Sequence, residues 1–153
     1  MISLLFDFIC ALMATLGFSI IFHVPGRHMP VAAGIGAIGW VIYQLCTFYG
    51  VSDIFGCFLA SCAVGLLSDF ASRAFKEAST IFIIPGILCL VPGSGMYNSM
   101  AALVDGNLET AAQVGITTLM MAGSIALGLL TVGAVLRTIL AIARRATNIA
   151  SKF

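Results

Sequence analysis

Hydrophobic residues run almost without interruption along this chain, and the few polar clusters fall at intervals that divide it into five apolar stretches. A helix crossing the hydrocarbon of a bilayer needs about 20 mostly apolar residues, because each residue rises about 1.5 Å. Five stretches meet that length, at about 2–24, 30–49, 53–72, 79–103 and 110–142. The first stops at Pro25-Gly26-Arg27, where proline, glycine and a charge together end a helix. The second ends at Gly50. The third begins near Asp53, whose carboxylate can accept the free N–H groups of a helix start as an N-cap, and closes before the polar segment from Arg73 to Glu77. The fourth is interrupted from within. The fifth follows Asp105-Gly106-Asn107 and is long enough to tilt or to project beyond the bilayer.

Composition agrees with that division. Of 153 residues, 61% are hydrophobic and only 8% are charged, against roughly a quarter charged in soluble domains. So few charges cannot clothe a water-facing globule, and a chain of this size still exposes about a third of its surface after folding. The expected fold is therefore all-α: a single integral membrane bundle of five transmembrane helices over residues 1–153, with the fourth discontinuous at Pro-Gly pairs. A net charge of +1 with scattered basic residues gives no footprint for nucleic acid. The amino-terminal run has no Lys or Arg ahead of it, so it reads as a retained first span rather than a signal peptide. Cys10, Cys46, Cys57, Cys62 and Cys89 lie within apolar runs and lack metal or redox spacing, and they read as small core residues.

Charge placement sets an orientation. With five spans, Arg27, Arg73, Lys76, Arg137, Arg144, Arg145 and Lys152 fall on one face, while Asp53, Asp105 and Glu109 fall on the other. Lys and Arg are retained on the cytoplasmic side. The expectation is a multi-pass protein of the inner (plasma) membrane with its amino terminus outside and its carboxy terminus in the cytoplasm. Small residues at helical spacing, such as Ala32/Gly36, Gly56/Ala60, Ser61/Gly65 and Ser124/Gly128, permit the close approach on which helix association in lipid depends.

The interrupted fourth stretch carries the candidate chemistry. Pro85-Gly86 and Pro92-Gly93 stand seven residues apart in one membrane segment. Proline removes a backbone donor and glycine admits dihedrals foreign to a helix. Backbone groups freed in this way cannot face lipid, so they must meet protein or a wet cavity. Half-helix N-termini of this kind bind anionic substrate groups in secondary transporters. The candidate substrate-binding residues are Pro85, Gly86, Pro92, Gly93, Ser94, Gly95, Tyr97 and Asn98, in which backbone N–H groups cradle a carboxylate beside hydroxyl and amide side chains.

Elsewhere, Gly36, Trp40, Tyr43 and Thr47 recur at helical spacing with Gln44 adjacent, and Gln113, Thr117 and Ser124 share a face of the fifth stretch with Met120. Both read as bundle-facing polar stripes before ligand contacts. Acids within a membrane are costly, which makes Asp7 and the pair Asp69/Arg73, spaced for an i,i+4 ion pair, candidates for coupling or gating. His23 and His28 flank the Pro25-Gly26 turn and read as solvated loop residues. No paired-carboxylate, Ser-His-Asp, HExxH or phosphate-loop pattern is present, so no enzyme activity, cofactor or metal is expected.

The run from Pro85 to Tyr97, with Arg73 at the end of the third stretch and Phe22 to Arg27 after the first, resembles the threonine/serine exporter family. More narrowly, it is similar to the short five-span type that pairs with a separate, larger membrane subunit, a type that includes a proposed succinate exporter. The specific part is the Pro-Gly-x-x-x-Tyr element at Pro92 to Tyr97 with Pro85 upstream, and where family members often carry a further proline before the fourth span this chain has Ala78. The resemblance implies gradient-driven export of a small amino acid or a small carboxylate, working with that partner or as a homo-oligomer. The competing expectation is a non-transporting scaffold that stabilises the larger subunit. A self-assembled channel ranks last, because no selectivity filter is recognisable.

Overall fold

Turn chemistry at the polar breaks fixes where the helices end. The computed structural model describes residues 2–150, with side chains placed over residues 5–139. Its helices are α1 (Ile2–Ile21), α2 (Met29–Phe48), α3 (Asp53–Phe75), α4 (Thr80–Leu88), α5 (Gly93–Val104) and α6 (Leu108–Ala150), with no strand among the described residues. Gly50 and Gly106 take φ of 74° and 77° in the turns after α2 and α5, a region that side chains disfavour. Lys76 closes α3 in the left-handed conformation, its N–H donating to the Ser72 carbonyl. The Asn107 side chain caps α6 by accepting the Thr110 N–H at 3.2 Å.

Two local expectations are corrected. Asp53 is the first residue of α3 rather than its N-cap; Ser52 holds the cap position with extended backbone and no side-chain bond. The Asp53 carboxylate is thereby left free of capping duty. The fourth stretch breaks once, not at both Pro-Gly pairs: Pro85 lies inside α4, and the helix gives way only between Cys89 and Pro92. Pro85 lacks the N–H that would bond one carbonyl a turn earlier, and the fold tolerates that single loss because the Pro85-Gly86 step is buried at a helix crossing. A Cβ built at Gly36 on α2 would lie 3.2 Å from the Gly86 Cα and 2.5 Å from Thr15 Oγ1 of α1. Two glycine backbones and the Thr15 side chain therefore meet where a larger residue at position 36 would not fit, the membrane mode of close packing.

Around this crossing α2 packs against α1, α3 and α4, α3 packs against α6, and α5 rests, among the described residues, on α6 alone. The buried cluster includes Ala32, Ile35, Cys57, Ala60, Val64, Phe82, Leu90 and Ile125. Three helices, α2, α3 and α6, are each long and apolar enough to cross a membrane, and α4 with α5 makes a further candidate span bent by 50°. Within α1 the run Leu5–Ile21 is a shorter apolar helix. The 32 residues Leu108–Ile139 of α6 extend about 48 Å by helical rise, well beyond about 30 Å of hydrocarbon.

Charges separate to the two ends. One end gathers the α1–α2 and α3–α4 connections, because the His28 ring meets Phe75 at 4.9 Å and Phe82 at 5.9 Å between centroids, with its Nε2 3.9 Å from Glu77 Oε1. His28 is 7% exposed, so it is a buried anchor and not a solvated loop residue; the aromatic ends of α3 and α4 close over it. Arg27, Arg73, Lys76 and Arg137 belong to this end. The side chains of Arg144, Arg145 and Lys152 lie outside the described residues. At the opposite end the Gln44 amide donates to Asp7 Oδ2 at 3.0 Å, tying α1 to α2.

Candidate functional site

Where α4 gives way to α5, the chain turns at Cys89–Pro92 and opens a cavity of about 500 Å³ among α2, α3, α5 and α6. Pro92, Ser94 and Gly95 line it from the break, Trp40 and Tyr43 from α2, Asp53 from α3, and Gln113, Thr117 and Thr118 from α6. The Gly93 N–H is turned back onto the Val91 carbonyl at 2.7 Å, and that of Met96 onto Pro92 at 3.2 Å. Between them the N–H groups of Ser94 and Gly95 have no backbone acceptor, as the first turn of a helix requires. They are the positive end of α5, and both residues border the cavity.

Close approach holds α5 in place. A Cβ at Gly95 would collide with Thr118 Oγ1 and fall 3.3 Å from its Cγ2. Thr118 is buried, and its hydroxyl donates to the Val114 carbonyl at 2.7 Å, which anchors the rotamer. Further along, Ser99 Oγ donates to the Ala111 carbonyl at 3.1 Å, so α5 and the start of α6 run as an antiparallel pair.

The residues singled out in the sequence divide accordingly. Pro92, Ser94 and Gly95 line the cavity, and Gly93 stands beside them at the start of α5. Pro85 and Gly86 are buried at the α2 crossing, away from it. Tyr97, 74% exposed, and Asn98, also exposed, are not among its lining. Of the polar stripes, Trp40, Tyr43, Gln113 and Thr117 do face it. Asp53 and Thr118 were missed as site residues; the signal for Asp53 was its place one turn before Cys57 on the core-facing side of α3, obscured by its reading as a cap. The coupling candidates lie apart. Asp7 borders an apolar cavity of about 260 Å³ with Cys10, Trp40 and Cys89, whereas the Asp69–Arg73 pair, 2.6 Å between Oδ2 and Nε, belongs to a third cavity at the basic end.

Comparison with known proteins agrees with a membrane exporter. The family described as "Threonine/Serine exporter, ThrE" matches residues 7–135. An uncharacterised protein of Haemophilus influenzae is 28% identical over 105 residues, which is 69% of this chain and 35% of that protein. The chain thus spans about a third of the length of the curated relative it matches. No solved structure matches it. Helices α1 to α5 and α6 as far as Val135 lie within the matched segment, apart from the first residues of α1, and the chain belongs to the threonine/serine exporter family.

Proposed function

We propose that this chain is the membrane subunit of a gradient-driven secondary exporter for a small amino acid such as threonine or serine, with the cavity at the Pro92 break as its substrate site. One observation carries the choice: the Asp53 carboxylate and the open N–H groups of Ser94 and Gly95 border the same cavity. A zwitterion presents an ammonium to the first and a carboxylate to the second, while Thr117, Thr118 and Gln113 offer partners to a side-chain hydroxyl. A dicarboxylate such as succinate would set a like charge against Asp53, which costs binding energy at short range.

A count of five crossings, with α1 included and α4–α5 taken as one bent span, sets the termini on opposite sides of the membrane, a reading that the charge distribution supports. The gathering of Arg27, Arg73, Lys76 and Arg137 at one end supports a cytoplasmic carboxy terminus. The greater length of the relative supports a working unit larger than this chain, completed by a second, larger membrane subunit or by further copies. Asp7 and the Asp69–Arg73 pair are the candidates for ion coupling or gating.

The test is uptake of labelled threonine, serine and succinate into proteoliposomes holding the chain with its co-purifying partner, under an imposed proton gradient. Threonine or serine should accumulate, and Asp53→Asn should raise the half-saturating concentration about tenfold or more, as loss of a charge-assisted bond does. Equal threonine transport by Asp53→Asn, or by the partner alone, would leave this chain a scaffold.

A further inference from the structure

We infer that the cavity at the basic end is a second, carboxylate-binding station for the exported substrate, with Arg137 as its recognition group. We further infer that the two cavities are the ends of one passage along the gap between α4 and α6. The inference rests on the exporter reading of the Pro92 cavity and extends it to the far side of the molecule.

The gap follows from the packing. Among the described residues α4 and α6 do not pack on one another, so α3, which packs on both, floors a groove between them. Each of the three helices carries the same sequence of environments along its groove face. On α6, Thr117 and Met121 line the first cavity, Ile125 is buried, and Leu129, Val132 and Arg137 line the second. On α4 and the turn that follows it the order is Leu90, Ile87, Ile83. On α3 it is Asp53, then buried Val64, then Gly65 and Asp69. Ile125, Val64 and Ile87 belong to one apolar cluster. From Met121 to Leu129 the barrier is about 12 Å thick by helical rise, about two helical turns separating two chambers that each hold charged side chains.

The second chamber, about 280 Å³, is lined by two guanidinium groups and one carboxylate. Of its two guanidinium groups, that of Arg73 is held by Asp69 at 2.6 Å, while Arg137 has no carboxylate partner among the described residues. Its lining charges sum to one excess positive charge, with the hydroxyls of Ser79 and Thr80 alongside. An unpaired guanidinium presents two parallel donors to a carboxylate. The chambers are complementary in sign: the first, with Asp53 as its lone charged side chain, holds the ammonium end firmly, and the second holds the carboxylate end. A zwitterion therefore keeps one charged contact on each side of an apolar barrier that neither charge crosses favourably unless the barrier parts.

Equilibrium binding of carboxyl-13C threonine to the full chain with its co-purifying partner in liposomes tests this. Two equivalents are expected per chain. Arg137→Gln should weaken one of them about tenfold or more and leave the other, Arg137→Lys should keep part of it, and Asp53→Asn should remove the other equivalent instead. Ile125→Ala should add a threonine leak that persists without a gradient. If wild type binds a single equivalent that Asp53→Asn abolishes, or if Arg137→Gln retains both, the second station is overturned while the Pro92 site stands. If Asp53→Asn changes nothing and Arg137→Gln removes the only equivalent, the Pro92 reading fails instead, and with it the passage.

Discussion

Substitution of Gly95 by alanine tests whether the α5 start is held where the cavity needs it. The added Cβ would overlap Thr118 Oγ1 and sit 3.3 Å from Cγ2 and 3.4 Å from Cβ of the same residue. Thr118 cannot swing aside cheaply, because it is buried and its hydroxyl is tied to the Val114 carbonyl at 2.7 Å. Relief must come from α5, which among the described residues packs on α6 alone and is free to tilt away from it. Overpacking of this kind costs about 1–3 kcal/mol, and at 1.4 kcal/mol per tenfold it shifts the docked arrangement by roughly 5- to 150-fold. The open N–H groups of Ser94 and Gly95 move with α5, so the half-saturating threonine concentration in proteoliposomes should rise within that range while the protein remains in the membrane. Thr118→Ala removes Oγ1 and Cγ2 and leaves only the 3.4 Å contact, so the double variant should recover most of the loss, with a coupling of about 0.5–3 kcal/mol. Wild-type transport by Gly95→Ala, or a double variant no better than the single, would refute the docking argument.

Gly36→Ala should destabilise the bundle by about 1–3 kcal/mol, read as a lower midpoint of thermal unfolding in detergent, and Thr15→Ala should rescue it only in part because the new methyl also meets the Gly86 backbone at 3.2 Å. His28→Phe should leave stability unchanged or raise it: the ring contacts to Phe75 and Phe82 persist, a buried Nδ1 without a hydrogen-bond partner disappears, and such an atom costs about 1–3 kcal/mol; a clear fall in the unfolding midpoint would show that the imidazole has a partner. Asp69→Asn should cost no more than about 0.5 kcal/mol of stability, since the i,i+4 pair it forms with Arg73 is partly exposed, at 25% and 44% for the two side chains; a loss of several kcal/mol in chemical denaturation would contradict that.

The helices were legible because lipid leaves the backbone no alternative: apolar stretches between Pro25-Gly26, Gly50 and Asp105-Gly106 had to be helical, and they are. The site was legible only in part, and the two Pro-Gly pairs show why. Pro85-Gly86 and Pro92-Gly93 carry the same local instruction, yet one continues a helix and the other ends it. The difference lies outside the segment: Gly86 faces Gly36, Ile35 and Val64 across a crossing that rewards continued helix, whereas Gly93 has nothing within 4 Å of where its Cβ would be. A partner in a distant helix converts a breaking motif into a packing motif, and no local pattern records which partner arrives. His28 makes the same case, a loop residue in sequence that becomes buried once Phe75 and Phe82 close on it. Asp53 completes it in reverse, because its first-turn position promised a cap, and only the cavity beside the break of a different helix brings it into one lining with Tyr43, Ser94 and Gly95. In a bilayer, where apolar residues are needed everywhere, hydrophobicity cannot separate packing from binding. What separates them is whether a polar group or an opened backbone finds its partner inside the chain, and the first-turn N–H groups of Ser94 and Gly95 find no backbone acceptor there.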